Sequence, residues 1–412
     1  MAPPAEILAS SRSATFGTFV LVGFAMLSPV AWYPDFIERL GVTFAVWGGI
    51  LGFSTVGAIL PLVIAGRVLL RFGSRAVLRV SLVFAMIFLI LLGFLVSPMT
   101  WGMAQIGFSF SMAFVGVSVN THAVAIQSFS ARPVVIRLHA GWSVGALMGA
   151  LLGGISTILL PVHIFVIAVA CLTLFSFELL RKRLLSSADD GHEADKASHL
   201  RSGSTKVPYP LWILVAGLFA ALFPEIAIFE WSVVFAHEAL EFDSAFRVFP
   251  FASFMVGMIA GRLVIPIVLG KASLAHVSHH SVAAAGSGIA ALCLALATSF
   301  APTVVDNTQF GVSALTGVLW LAVGLGLSCL APAYFAAAAH VPYVAMAWAL
   351  SFMQLITQIL LVWSKVLMGF LAEGFGVDRA FLFPVAILAI GSFIAFKNAS
   401  LRITPRLPAG NV

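Results

Sequence analysis

The sequence predicts an all-α membrane protein of twelve transmembrane helices arranged as two sets of six, and three observations carry that reading. Hydrophobic residues make up 61% of the chain and charged residues 9%, against about one quarter charged in soluble domains; mean hydropathy is +1.08. The 412 residues contain twelve long apolar segments, each near the ~20 residues needed to cross about 30 Å of hydrocarbon. Only three ionisable side chains, Glu225, Glu230 and Lys365, sit well inside those segments, the mark of a polar pathway rather than a purely structural bundle. Large water-soluble domains are excluded.

The first span, 14–36, follows a single Arg12 without a small-residue cleavage site, so it reads as an uncleaved helix rather than a signal peptide. The second, 43–65, carries Gly48 and Gly52 and closes on Ala65-Gly66-Arg67. The third and fourth run over 76–96 and 99–125. The fifth, 138–160, repeats Gly141, Gly145, Gly149 and Gly153 every fourth residue, a smooth face that lets another backbone approach. The sixth spans 162–180. A polar stretch, Arg181 to Val207, then cannot support a packed core and reads as a linker between domains 1–180 and 208–412. The seventh span, 209–235, holds Pro224, Glu225 and Glu230; the eighth, 247–269, holds Gly257 and Gly261 and is read as closing on Ala260-Gly261-Arg262. Recurrence of that tripeptide at the corresponding place is expected of duplicated transporter halves. Spans at 280–300, 309–333, 345–370 and 379–397 complete the set, the eleventh carrying Gln354, Gln358 and Lys365.

An even number of spans puts both termini on one side, and the positive-inside rule makes that side cytoplasmic. It receives Arg67, Arg71, Arg75, Arg79, Arg137 and Arg262, among others, while the opposite side has only Arg39, Arg247 and Arg379 beside acids such as Asp35, Glu238 and Glu373. The net charge of +6 follows this topology and implies no nucleic-acid partner. Cys171, Cys293 and Cys329 lie in apolar segments without mutual spacing and read as buried hydrophobes. His276, His279 and His280 share a turn but lack nearby Cys or carboxylates, so no metal or other cofactor is expected. Without a phosphate-binding Gly loop, a nucleophile elbow or a His-Glu-x-x-His helix, neither an ATP-driven pump nor an enzyme is indicated.

The segment from Gly66 to Arg75, GRVLLRFGSR, resembles the signature between the second and third helices of the major facilitator superfamily, Gly-x-x-x-Asp-Arg-x-Gly-x-Arg/Lys. Gly66, Arg71, Gly73 and Arg75 match, whereas Leu70 stands where the signature has Asp, so the latch that this acid forms in the family must be built differently here. Segments 118–125, 138–145 and 225–232 look like the fucose-permease-like, YbjJ-type branch. The resemblance implies two pseudo-symmetric six-helix bundles around a cavity that opens alternately to either side, with the fifth helix against the eighth across the bundles. It also implies a multi-pass protein of the bacterial inner (plasma) membrane acting on a small-molecule substrate, and one complete pathway per chain makes a monomer the default.

Glu230 and Lys365 lie at similar depth in the second half, which makes them a candidate ion pair, either structural or part of a coupling network. Glu225 and Glu230 are five residues apart, about 140° around a helix at ~100° per residue, and do not form a dyad. Glu225 is then the carboxylate left free to carry a proton, the alternative being a protonated side chain bonded to a neighbouring helix. Asn120, Gln127, His139, Trp142, Trp231, Gln354, Gln358 and Trp363 are candidate substrate contacts, since amides and indoles suit a polyhydroxylated ligand; each equally suits interhelical bonding or an interfacial belt. Gly66, Arg67, Arg71, Gly73, Arg75, Gly261 and Arg262 are candidate gating residues. The reading is a proton-coupled secondary transporter of a sugar or related polar metabolite. Efflux of drugs or metabolites by the same fold and a non-transporting receptor or scaffold are its competitors.

Overall fold

A backbone in hydrocarbon must satisfy its own N–H and C=O groups, so twelve apolar segments without a closed sheet have to be helices. The computed structural model describes residues 5–130, 134–185, 207–269, 279–299, 309–338, 341 and 346–398, and among them twelve helical segments are long and apolar enough to span a membrane. In the first half these are α1 (Ala5–Leu27), α3 (Phe44–Phe72), α4 (Ser74–Phe94), α5 (Pro98–Ser128), α6 (Val135–Leu159) and α7 (Val162–Arg181); a short α2 (Tyr33–Leu40) follows α1. In the second half they are α8 (Tyr209–Glu238), α9 (Phe249–Leu269), α10 (His279–Ser299), α11 (Gln309–Leu327), α13 (Met346–Phe375) and α15 (Leu382–Asn398), with short helices α12 (Leu330–Ala338) and α14 (Val377–Ala380). Most of the linker, residues 186–206, and His276 lie outside the described residues, as do the side chains of His279 and His280.

Several described spans are interrupted, and in the first and tenth a proline accounts for the break. The first continues past residue 36 to Leu40, passing through a 3-10 turn at Ser28–Trp32 that contains Pro29, with Pro34 opening α2. The tenth breaks at Ser328 and Cys329, because Pro332 has no N–H for the Ser328 carbonyl four residues earlier.

The face at which α1 begins is called the terminal face, and the opposite one the distal face. Within the first bundle α1 packs on α6, α4 on α5 and α7, and α3 on α5; within the second α9 packs on α11, α10 on α11 and α15, and α8 on α13 and α15. A distal cluster of Tyr33, Phe36, Trp47 and Trp101 holds the first bundle, with Tyr33 5.2 Å and Trp101 5.1 Å from Trp47 between ring centroids. Beside it Arg39 donates to the carbonyls of Leu92, Gly93 and Leu95 at 2.9 to 3.0 Å, filling acceptors left open at the end of α4. The bundles meet chiefly where α3 faces α13 and α6 faces α9.

The glycine stripe of α6 does not serve that junction. Gly145 and Gly149 face the backbone of α1 at Val20 and Phe24, Gly153 faces Ser28 in the 3-10 turn that follows, and Gly141 faces the Phe16 ring. The four-residue repeat thus fixes two helices of one bundle together instead of meeting α9. Another face of α6 turns to the second bundle, with Ser143 bonded to Arg262 and Gly154 against Val248. Between bundles the close approach is made by Gly48 and Gly369, while Gly52 lies against Val362 and Val366. A Gly149→Val substitution should wedge α1 from α6 and destabilise by about 1–3 kcal/mol, read as a lower Tm of the purified protein; an unchanged Tm would show that the stripe is not close-packed.

Candidate functional site

α8 carries both interior carboxylates, and the turn of the helix sends them to different neighbours. Glu225 follows Pro224, whose missing N–H leaves the Ala220 carbonyl without its helical donor. Glu225 Oε1 accepts from Arg262 Nη2 on α9 at 3.3 Å. Glu230 Oε1 accepts from Lys365 Nζ on α13 at 2.5 Å. The side chains of both pairs are between 10% and 14% exposed, so each charge is matched away from bulk water. Glu225 is therefore not the free carboxylate expected of it: both acids are paired in this conformation.

Arg262 lies deeper than its sequence context predicts. The Ala-Gly-Arg echo of Arg67 places it at the emerging end of the eighth span, but it lies about 20 Å along α9 from Phe249, whereas Arg67 lies about 35 Å along α3 from Phe44. The extra length carries Arg67 out to an exposed position, while Arg262 stays inside. Arg262 Nη1 also donates to Ser143 Oγ on α6, so one guanidinium joins both bundles. Beside it Trp142 and Phe229 meet across the same junction with centroids 5.8 Å apart, and Phe229 continues to Phe251 and Phe254. His139 packs edge-on against Phe19 at 5.0 Å, within electrostatic reach of Arg262.

The other sequence candidates separate. Gln354 and Gln358 are half-buried on α13, spaced so that they share the face carrying Lys365. Asn120 donates to the carbonyl of Gly116 on its own helix at 2.9 Å. Gln127 accepts from the Val134 amide at 2.6 Å and donates to the Ser130 carbonyl at 3.1 Å, closing the turn before α6. Trp231 is buried against Phe44 of the other bundle, 6.2 Å between centroids. Trp363 is 64% exposed on the helix surface and belongs to the membrane face. In the signature segment Gly73 takes φ +75 to turn the chain between α3 and α4, Arg75 donates to the Leu184 carbonyl, and Ser74 Oγ lies 3.1 Å from the buried His122 Nε2. Arg71 is exposed over Phe72, and Gly66 is exposed while Gly261 packs on Ser328.

Further contacts between bundles gather in the distal half. Arg247 pairs with Asp35, Glu373 accepts from the Phe44 amide at 2.8 Å, and a cleft of about 300 Å³ is lined by residues of both bundles, including Glu38, Phe44, His237 and Glu238.

This arrangement matches solved transporters along nearly its whole length. The nucleoside transporter NupG superposes with a TM-score of 0.68 at 14% identity, over 95% of this chain and 98% of the other. A bacterial homologue of the human lysosomal transporter Spinster, in an inward-facing and occupied conformation, gives a TM-score of 0.69 at 12% identity, over 98% and 100%. The fold is the one these transporters share, with twelve membrane-spanning helical segments among the described residues. In sequence the chain is similar to an uncharacterized MFS-type transporter of Yersinia pestis, 25% identical over 336 residues that cover 80% of this chain and 81% of the relative. It is also similar to an uncharacterized transporter of Sinorhizobium fredii, 26% identical over 269 residues, 64% and 70% of the two chains. The sequence matches no family model.

Removing one member of a buried pair strands the other, at a cost of about 3–5 kcal/mol. Lys365→Ala should therefore lower stability far more than Lys365→Ala combined with Glu230→Gln. Equal losses in the single and double variants, measured by thermal unfolding, would mean that the two charges are energetically independent.

Proposed function

We propose that this chain is a proton-coupled secondary transporter that moves a small polar solute by rocking one bundle against the other. The observation that carries the reading is the placement of contacts between bundles: a guanidinium bridging them at mid-depth, and ion-paired, capped and close-packed contacts gathered toward one face. A junction with contacts gathered at one face and a polar centre suits alternating access. With the termini in the cytoplasm, as the basic residues direct, the face that carries those contacts is the outer one, which supports reading the conformation as inward-facing. The inner membrane of a bacterium is the setting this implies, and one complete pathway per chain makes the monomer the working unit.

Proton coupling rests on Glu225. It is bonded to a cation that also holds the opposite bundle, so gaining or losing its proton changes a contact between the moving parts. Glu230 is held at shorter distance by Lys365 inside one bundle and serves as a structural pair. The resemblance to the fucose-permease-like branch makes sugars and their relatives the first solutes to test. The rings of Trp142, Phe229, Phe251 and Phe254 beside the ion pair favour a second reading, efflux of apolar compounds, so lipophilic cations belong in the same panel.

The test is reconstitution in liposomes with a pH dye inside and an imposed proton gradient. A solute from a panel of sugars, sugar acids, amino acids and lipophilic cations should move protons with it through the natural protein. Glu225→Gln should abolish that proton signal while radiolabelled exchange of the same solute continues; driven uptake at the natural rate would remove Glu225 from coupling. Orientation has its own check. A cysteine placed at Met99, exposed at the distal face, should react with an impermeant maleimide added outside intact cells, and labelling only after lysis would reverse the assignment.

A further inference from the structure

We propose that the transported solute carries a carboxylate, which replaces Glu225 on Arg262 when Glu225 takes up a proton. The proposal rests on the transport reading and adds the charge of the substrate to it. It begins with the difference between the two buried pairs. Lys365 and Glu230 lie 2.5 Å apart within one bundle, whereas Arg262 and Glu225 lie 3.3 Å apart, longer than the ~2.7–2.9 Å of a firm charge-assisted bond. Arg262 makes that bond with one nitrogen and spends the other on Ser143 of the opposite bundle. A guanidinium fork fits a carboxylate with two parallel bonds, and neither neighbour uses it so.

Charge balance gives the consequence. While Glu225 is ionised, the two buried pairs sum to zero. A proton on Glu225 neutralises the acid and leaves the guanidinium, which keeps its charge across the biological pH range, unmatched in a low-dielectric interior. An anion on Arg262 restores neutrality, a neutral solute leaves the cost in place, and a cation raises it. One proton and one carboxylate then enter together, and the buried charge is zero before and after. The position suits a transported ligand because Arg262 already touches both bundles.

Other titratable groups near this point are accounted for. His139 on α6 and Cys329 lie within electrostatic reach of Arg262. α12 offers Tyr334 against Gly217 of α8. α13 brings Lys365 and Glu373, held by Glu230 and by the Phe44 amide. Asp35 and Arg247 pair with each other toward the distal face, and Lys397 of α15 lies over Phe393. Glu225 is the carboxylate bonded to Arg262.

The experiment is thermal unfolding of the detergent-purified full chain at pH 7.5 and 5.5. Acetate, lactate, gluconate and glucuronate are compared with glycerol, glucitol and glucose at matched ionic strength in chloride. Glu225→Gln, whose Arg262 is permanently unmatched, should melt below the natural protein and be raised by roughly 2–4 °C by one or more of the carboxylates at both pH values. The natural protein should respond only at pH 5.5. Glu225→Gln combined with Arg262→Gln, which is free of the stranded charge, should melt normally and ignore every anion. Absence of any carboxylate shift in Glu225→Gln, an equal shift from the neutral partners, or a carboxylate response that survives the Arg262→Gln change would overturn the proposal. If a neutral solute moves protons in liposomes while no carboxylate stabilises Glu225→Gln, the anion assignment falls and the transport reading stands; if no solute of the panel moves protons, the proton-coupled reading itself falls.

Discussion

A charge inside hydrocarbon cannot stand alone, and in this chain that requirement organises the second bundle and its junction with the first. α8 brings two carboxylates about 140° apart on its surface, so they need two cations on two different helices. α13 supplies Lys365 and α9 supplies Arg262. The first match closes inside one bundle. The second does not, since Arg262 also reaches Ser143 across the junction, and a link that neutralises a charge is thereby also a link between the two bundles.

The spans were legible in the sequence because crossing a membrane is a constraint on length and composition, which a sequence displays directly. The Glu230 and Lys365 pair was legible for a related reason: depth along a helix follows from counting residues, and two opposite charges at one depth have few other solutions. Arg262 was hidden because its Ala-Gly-Arg tripeptide echoes a helix end, while its depth depends on the distance from the helix start. The same count that paired Glu230 with Lys365 would have set Arg262 near Glu225. The partner of the α6 glycines was not legible at all. A four-residue repeat says that some backbone comes close, and only the packed fold tells α1 from α9. Amides such as Asn120 and Gln127 bonded locally because a nearby carbonyl or amide is satisfied before a distant ligand is met.

The two kinds of small-residue contact divide the labour of the fold. Along α1 and α6 the glycines run for several turns and bind one bundle into a unit. Between α3 and α13 the glycine contacts are made by Gly48, Gly52 and Gly369 near one face, accompanied by the polar bond from Phe44 to Glu373, and these two helices pack on each other as extensively as α1 and α6 do.

That polar bond has a further meaning for α3. The first turn of a helix has amides without partners of their own; Thr43 accepts from Val46, and the Phe44 amide is filled by Glu373 from the other bundle. The helix is thus finished by a borrowed group. Were the bundles to part at that face, as the proposed transport cycle requires, the exposed Phe44 amide would pass from Glu373 to water, and solvent would become the replacement cap of α3.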